Sequence, residues 1–375
     1  MKKSRNNILG LIPPVGEGFT TLRNTGQHTR LLDSYIPMYL SKFDELYYFS
    51  YVQEHINDFT KDPSIRKRVT VMPKSMAVSN RHYAFRMTSA YADKFKQLNV
   101  IRVFQTPGGM PAIMARKNWN IPFVASYGYR YDKFLKVDGK HAKAIAINFL
   151  TKKVLNKANA VIYTIPETRT FLSRWEDKLV FIPNGVDVNL FKPNASAKRG
   201  TITKILFLGR LERQKNLFRL LQAIGELDNI HVTIIGQGSQ RAELGEIVAD
   251  KKLPVTFVKS VTNRELPTYH NSHDIFLLPS LIEGHPKTLL EAMSSAMPIV
   301  ASRCEGSNVI LNNGVTVLAC DPYDAKDIAA KIQTLIDDPK KATEYGNNAR
   351  AFIQQNYEIH TLLEKEVELL TSIAR

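Results

Sequence analysis

The sequence has only two cysteines, Cys304 and Cys320, among 375 residues. They form no metal-spaced cluster and are too few for a disulfide framework, so a reducing compartment fits. No apolar stretch approaches the roughly 18–20 residues of a bilayer-spanning helix. The start, Met1-Lys2-Lys3-Ser4-Arg5, is basic, but the apolar run behind it stops at Pro13-Pro14. That argues against a secretory signal and for a cytoplasmic chain. No Asp-x-Asp pair, tandem repeat or low-complexity tract is present. Acidic residues are scarce in one half only. Residues 1–183 carry 13 Asp and Glu against 29 Lys and Arg, a net of +16, whereas residues 184–375 carry 22 of each. A basic half of this kind attracts anionic lipid, phosphorylated substrates or nucleic acid. The plainer reading is a solvated surface that aids solubility. No helix-turn-helix, zinc-finger or RNP-type signature accompanies the charge, so nucleic acid is not the expected partner.

What is present reads as α/β. The hydrophobic fraction of 44% is ordinary for a globular protein, and the length suggests two domains. In the first half, short apolar runs at 7–13, 46–51, 68–72, 101–104, 122–126 and 160–165 read as strands. Helices are expected over 84–98 and 142–156. The second half alternates more cleanly. Strands are expected at 202–208, 230–235, 255–259, 275–278 and 299–302. Helices are expected at 216–227, 240–251, 264–271, 286–296 and 357–375. Such alternation predicts parallel, doubly wound sheets. The turn-rich stretch Ile182-Pro183-Asn184-Gly185-Val186-Asp187 marks a domain boundary.

The segment from Ser280 to Met293 is the most informative. A buried strand leads into Glu283-Gly284-His285-Pro286, and Pro286 suits the first turn of a helix. The N–H groups of Lys287, Thr288 and Leu289 are then expected to point out of the helix start, where phosphate binds. Glu291 lies five residues past Pro286, roughly 7–8 Å along the axis. It could meet hydroxyls beside a phosphate held there, with Glu283 on the other side. Two Glu residues at this spacing are common by chance, and Pro and Thr at a helix start are common as capping. Two further elements add weight. Gly209-Arg210-Leu211-Glu212-Arg213-Gln214-Lys215 follows the first strand of the second half, at the carboxyl end that faces the ligand crevice in open α/β sheets. Arg210 and Lys215 are there placed for a diphosphate. Gly236-Gln237-Gly238 follows the next strand and reads as a turn allowing close approach to a nucleotide. The third glycine of a dinucleotide fingerprint is missing, which disfavours a dehydrogenase. His28, His82 and His141 fall in no recognisable motif.

Together these elements resemble the retaining glycosyltransferases of family 4, the group 1 glycosyltransferases, which have the GT-B fold. The resemblance covers nearly all of residues 180–360, including Pro183-Asn184-Gly185-Val186-Asp187 and the Glu-x7-Glu pattern from Glu283 to Glu291. It implies two Rossmann-like domains facing across a cleft: an acceptor-binding domain at 1–183, a linker at 184–200, a nucleotide-sugar domain at 201–355, and a helix at 356–375 packing back on the first domain. It implies that Arg210 and Lys215 bind the donor diphosphate, with Gly209, Gly284, Lys287, Thr288 and Leu289 completing the phosphate site. Glu291 would take the ribose and Glu283 the transferring sugar. Gly236, Gly238 and Lys259, the last standing where a glycine is usual, would lie near the base. Gly16 and Gly18 would form a loop on the acceptor side. A His commonly ends the strand matching 122–126 and touches the donor sugar; here Tyr127 follows that strand, which leaves the sugar open. The implied reaction is front-side retaining transfer without cofactor or metal, from a nucleotide-diphosphate-sugar to a glycan or lipid-linked acceptor. The basic half would rest peripherally on an anionic membrane surface. A sugar-nucleotide-binding protein without transferase activity, or a basic nucleic-acid-binding protein, are the alternatives.

Overall fold

The structure is a computed structural model that describes residues 6–137, 139–194, 200–312 and 314–375. The chain divides into two units. The first comprises Met1–Lys136, Lys140–Pro183 and His360–Arg375, and the second Val137–Gly139 and Asn184–Ile359. Of the expected linker at 184–200, residues 195–199 lie outside the described residues, as do residues 1–5 of the basic start.

The first unit is built on seven strands: β1 Ile8–Ile12, β2 Glu45–Phe49, β3 Val69–Met72, β4 Val100–Val103, β5 Phe123–Tyr127, β6 Ala160–Tyr163 and β7 Leu179–Phe181. They pair in the order β3-β2-β1-β4-β5-β6-β7, all parallel. The central strands read as continuous apolar runs because both faces are covered. Leu9 and Leu11 enter one core with Tyr48, Val100 and Ile162, whereas Ile8 and Ile12 enter the other with Phe49, Ile101 and Val161. Leu362, Val367 and Leu370 of the helix Ile359–Ile373 complete the first of these cores.

The second unit has six strands: β8 Thr203–Leu208, β9 Ile230–Ile235, β10 Val255–Val258, β11 Ile275–Leu278, β12 Ile299–Ser302 and β13 Leu318–Cys320. Their order is β10-β9-β8-β11-β12-β13, again all parallel. The order therefore reverses between β8 and β11. The loops after those two strands diverge, which opens the place where such sheets take ligands.

Two expectations change. The helix expected over 84–98 begins earlier, as Asn80–Ala90, with Ser79 accepting the His82 N–H as its cap. It breaks at Tyr91, whose backbone (φ −123°, ψ 35°) leaves helical space, before a short turn at Ala92–Phe95. The edge strands β7 and β13, and the helices Ala325–Asp337 and Pro339–Asn356, were not anticipated. Among the described residues no helix is long and apolar enough to cross a membrane.

Candidate functional site

The loops after β8 and β11 are stitched together where the strand order reverses. The Leu281 N–H donates to the Gln214 carbonyl at 2.8 Å. The Asn216 side-chain amide donates to the carbonyls of Pro279 at 3.0 Å and Pro322 at 2.6 Å. Asn216 itself takes a left-handed conformation (φ 58°), which ends the turn Arg213–Lys215 and starts the helix Leu217–Ile224. Asn tolerates that conformation better than most residues.

This stitching brings Lys215 to Glu283. The Lys215 ammonium donates to Glu283 Oε1 at 2.5 Å, and the Ser280 hydroxyl donates to the same oxygen at 2.5 Å. Both members of the ion pair are buried. A bare carboxylate could not be desolvated here at a tolerable cost; a cation and a hydroxyl on one oxygen offset it. The Glu283 N–H donates to the Glu305 carbonyl at 3.0 Å, and the Ser302 hydroxyl donates to the Ser280 carbonyl. Glu283 is thus held through one carboxylate oxygen and through its backbone N–H.

The helix that follows is Lys287–Ser294, and Pro286 is its cap residue with extended backbone (φ −71°, ψ 105°). Of the three N–H groups expected to be open, Leu289 is not. It donates to the Pro286 carbonyl at 3.1 Å, tightening the first turn. Lys287 and Thr288 occupy the positions that an α-helix leaves without intrahelical acceptors, and both are partly exposed. Glu291 is buried one turn deeper, with Oε1 accepting from the Asn263 side-chain amide at 3.2 Å.

The remaining expected donor-side residues separate into two groups. Arg210, at the end of β8, and Lys259, just past β10, are exposed. Gly209 is partly exposed beside the Lys215 stem, and Gly284 is buried. Gly236 (φ +150°) and Gly238 serve a close approach, but to protein. A Cβ on Gly236 would overlap the Gly209 carbonyl, and one on Gly238 would overlap the Leu211 backbone. The Leu211 N–H donates to the Gln237 carbonyl at 2.9 Å, and Ser239 caps the Glu212 carboxylate. These glycines let the β9 loop brace the segment that carries Arg210 and Lys215.

In the first unit the expected acceptor-side residues are more closed than the sequence suggests. Gly16 (φ +91°) and Gly18 precede the helix Phe19–Asn24. Its N-terminal Phe19 and Thr20 N–H groups are taken by Glu54, at 2.8 and 2.7 Å, and Ser50 donates to the same carboxylate at 2.6 Å. The chain supplies its own anion at this helix start. Tyr127 is buried, with its ring stacked on Phe171 at 5.5 Å.

Several residues of the site were not singled out in advance: Ser280, Asn216, Asn263 and Gly306. Only Asn216 carried a local signal, a turn residue just before a helical run. His285, in the loop before the helix, is a buried ring. It lies 5.3 Å from the Tyr357 ring, both ring nitrogens lack a hydrogen-bond partner among the described residues, and burial pushes its pKa down to about 3. Its carbonyl accepts from the Asn184 side chain at 2.8 Å. Among the described residues no three His, Cys, Asp or Glu are grouped to hold a metal ion.

Residues 189–352 match the family described as Glycosyl transferases group 1. Over 191 residues the chain is 31% identical to a D-inositol 3-phosphate glycosyltransferase of Pseudarthrobacter chlorophenolicus, covering 46% of this chain and 45% of that protein. Over 204 residues it is 26% identical to a glycogen synthase of Mycobacterium tuberculosis, covering 53% and 49%. The chain spans about half the length of these curated relatives. A GDP-mannose-dependent alpha-(1-6)-phosphatidylinositol monomannoside mannosyltransferase of Mycolicibacterium smegmatis is 26% identical over 244 residues, 59% of this chain and 64% of that protein. Among solved structures, a sucrose-phosphate synthase from Thermosynechococcus elongatus superposes with a TM-score of 0.82 at 21% identity, covering 98% and 99% of the two chains. HepE of Anabaena, solved with UDP and glucose, gives 0.78 at 17% identity, covering 98% and 100%. These likenesses show the fold: two Rossmann-like units of the GT-B class.

Proposed function

Because residues 189–352 match the group 1 glycosyltransferases, we propose that the chain is a retaining transferase acting on a nucleotide-diphosphate-sugar. It moves the sugar to an acceptor hydroxyl in cell-surface glycan or glycolipid synthesis. The buried Lys215–Glu283 pair at the reversal between β8 and β11 carries this reading. A ligand seated there meets the Lys215 cation, a helix start, and a carboxylate already held in place.

In this reading Arg210 and Lys215 bind the diphosphate, with the N–H groups of Lys287 and Thr288 on its other side. Glu291 takes the ribose, and Glu283 positions the transferring sugar. Lys259 and the Gly236–Gly238 turn border the base. Charge develops on the leaving diphosphate as the glycosidic bond breaks, and the fixed cations and helix start stabilise it. The leaving phosphate takes the acceptor proton on the face where the acceptor enters, which preserves configuration. No cofactor is part of this reading. The acceptor is a glycan or lipid-linked glycan bound by the first unit. The name of the Mycolicibacterium smegmatis relative, a transferase to a phosphatidylinositol monomannoside, supports a lipid-linked acceptor. The basic first unit would then work against the cytoplasmic face of an anionic membrane.

The test is a thermal-shift panel of nucleotide-sugars, followed by nucleotide release on adding acceptor. Lys215→Ala and Glu283→Ala are each expected to lower turnover by about 100- to 1000-fold, the usual loss for one charge-stabilising contact. Breaking a buried pair also costs about 3–5 kcal/mol of stability, so folding of each variant is checked by its melt. Glu283→Gln keeps an acceptor for Lys215 and Ser280 and is the folded control. Near-normal turnover in both alanine variants would remove the assignment. Stabilisation by a donor with no release on adding acceptor would favour a sugar-nucleotide-binding protein.

A further inference from the structure

Three helices of the first unit, Asn80–Ala90, Met110–Trp119 and His141–Lys157, cover one face of its sheet. Their inner residues Tyr83, Met87, Ala112, Ala115, Val154 and Leu155 share one core. Together the three helices contain eight Lys and Arg and no Asp or Glu. That is half of the formal excess of +16, on a small part of the chain.

Their outer sides are not purely polar. Phe85 is 52% exposed, Ile145 73% and Phe149 67%. Ile145 and Phe149 stand one turn apart on the same side of their helix. That helix therefore has two apolar faces, since Ala144, Val154 and Leu155 are buried on the other. Around the outer pair lie the exposed Lys152 and Lys153, one turn beyond Phe149, and the Lys153 ammonium sits 5.6 Å from the Phe149 ring. Phe85 is likewise flanked by exposed Arg81 and Arg86. Single exposed apolar residues are ordinary. Large ones set among cations, on helices that carry no Asp or Glu, suit a partner that offers apolar burial and negative charge together.

We propose that this helical layer docks the protein on an anionic lipid bilayer. Phe85, Ile145 and Phe149 enter the boundary between headgroups and acyl chains. The lysines lay their stems along the same boundary and present their ammonium groups to lipid phosphates. A second copy of the chain does not fit this face, because it would set eight like charges against eight. A nucleic acid would use the cations but offers no burial to Ile145. The proposal rests on the membrane part of the reading above and is independent of the donor site.

Flotation of the full chain with vesicles of phosphatidylcholine alone, or mixed with phosphatidylglycerol, tests it. Binding to the mixed vesicles is expected to exceed binding to neutral ones by about tenfold or more. A similar loss is expected for Ile145→Ser with Phe149→Ser, and separately for charge reversal at Lys152 and Lys153. Melting temperature and nucleotide release to a soluble acceptor stay unchanged in these variants, because the altered side chains are exposed and outside the donor site. Phe149→Trp gives a second readout: its emission shifts to the blue on anionic vesicles only. Equal flotation with both vesicle types, or undiminished flotation of the serine variant, overturns the proposal. So does self-association lost in that variant without lipid, or nucleic-acid capture sensitive only to charge reversal. Lost flotation with intact nucleotide release is a failure of docking alone; lost release with intact flotation is a failure of the transferase reading.

Discussion

Glu366 accepts from Arg102 through both of its carboxylate oxygens, Nε to Oε1 at 2.7 Å and Nη2 to Oε2 at 3.1 Å. The side chains are 4% and 6% exposed. Tyr39 adds its hydroxyl to Oε1 at 2.6 Å, and Arg102 spends its other bonds on Ser126 and the Val103 carbonyl. Burial alone would lower the Arg102 pKa, but Glu366 outweighs it and holds the guanidinium above its ordinary value. The pair joins the last helix to β4 of the first unit.

Glu366→Ala is expected to cost about 3–5 kcal/mol, because it strands a buried guanidinium. Replacing both partners with apolar residues, Arg102→Met with Glu366→Leu, is expected to cost less than the single change. Urea unfolding of the three proteins checks this. A double variant as unstable as Glu366→Ala would show that the loss comes from packing and not from the stranded charge.

Gly306 (φ +88°) backs the loop that fixes Glu283, and a Cβ there would overlap the carbonyls of Gly284 and Glu283. Gly306→Ala must displace that loop. Donor affinity is expected to fall by tenfold or more, beyond the roughly 1–2 kcal/mol of a left-handed L-residue. Gly314→Ala is the control, since Gly314 has a similar backbone (φ +76°) with open space around it. Titration of nucleotide-sugar into both variants measures the difference. Equal affinities would detach Gly306 from the site.

Two buried histidines should make stability depend on pH. Burial holds His270 and His285 neutral, with pKa values pushed down to about 3. In the unfolded chain each takes its proton near 6.5. Between those values the unfolded state binds more protons, so stability falls as pH drops below 6.5 and is fully present above it. The slope is about 1.4 kcal/mol per pH unit for each ring. His285→Phe should remove one ring's share of the slope. Denaturant midpoints at pH 5 and pH 7 read it directly. An unchanged pH dependence in the variant would mean that His285 is hydrated in the folded protein.

The sequence disclosed the fold class through strand runs such as Ile230–Ile235 and Ile275–Leu278, which the structure reproduces. It missed β7 and β13 because each has three residues and lies at a sheet edge, too short for any period to register. It extended one helix through Tyr91 because the apolar spacing continues where the backbone does not. For the site, the motif named Lys215 and Glu283, and the structure adds that they touch. Spacing could not disclose that contact across 68 residues, nor Arg102 and Glu366 across 264. Glu54 was equally invisible. A glycine-rich loop before a helix reads as an anion site whether or not a distant carboxylate already fills it.

The helix Ile359–Ile373 has one further consequence, for synthesis on the ribosome. Domains are ordinarily completed in the order in which they are translated. Here the core holding Leu9, Leu11 and Ile162 is closed by Leu362, Val367 and Leu370, which are translated after the whole second unit. The unit that begins first therefore finishes last. Until residue 370 has left the exit tunnel, the nascent chain exposes an unfilled apolar groove and an unpaired Arg102, and that interval is when a chaperone would have most to hold.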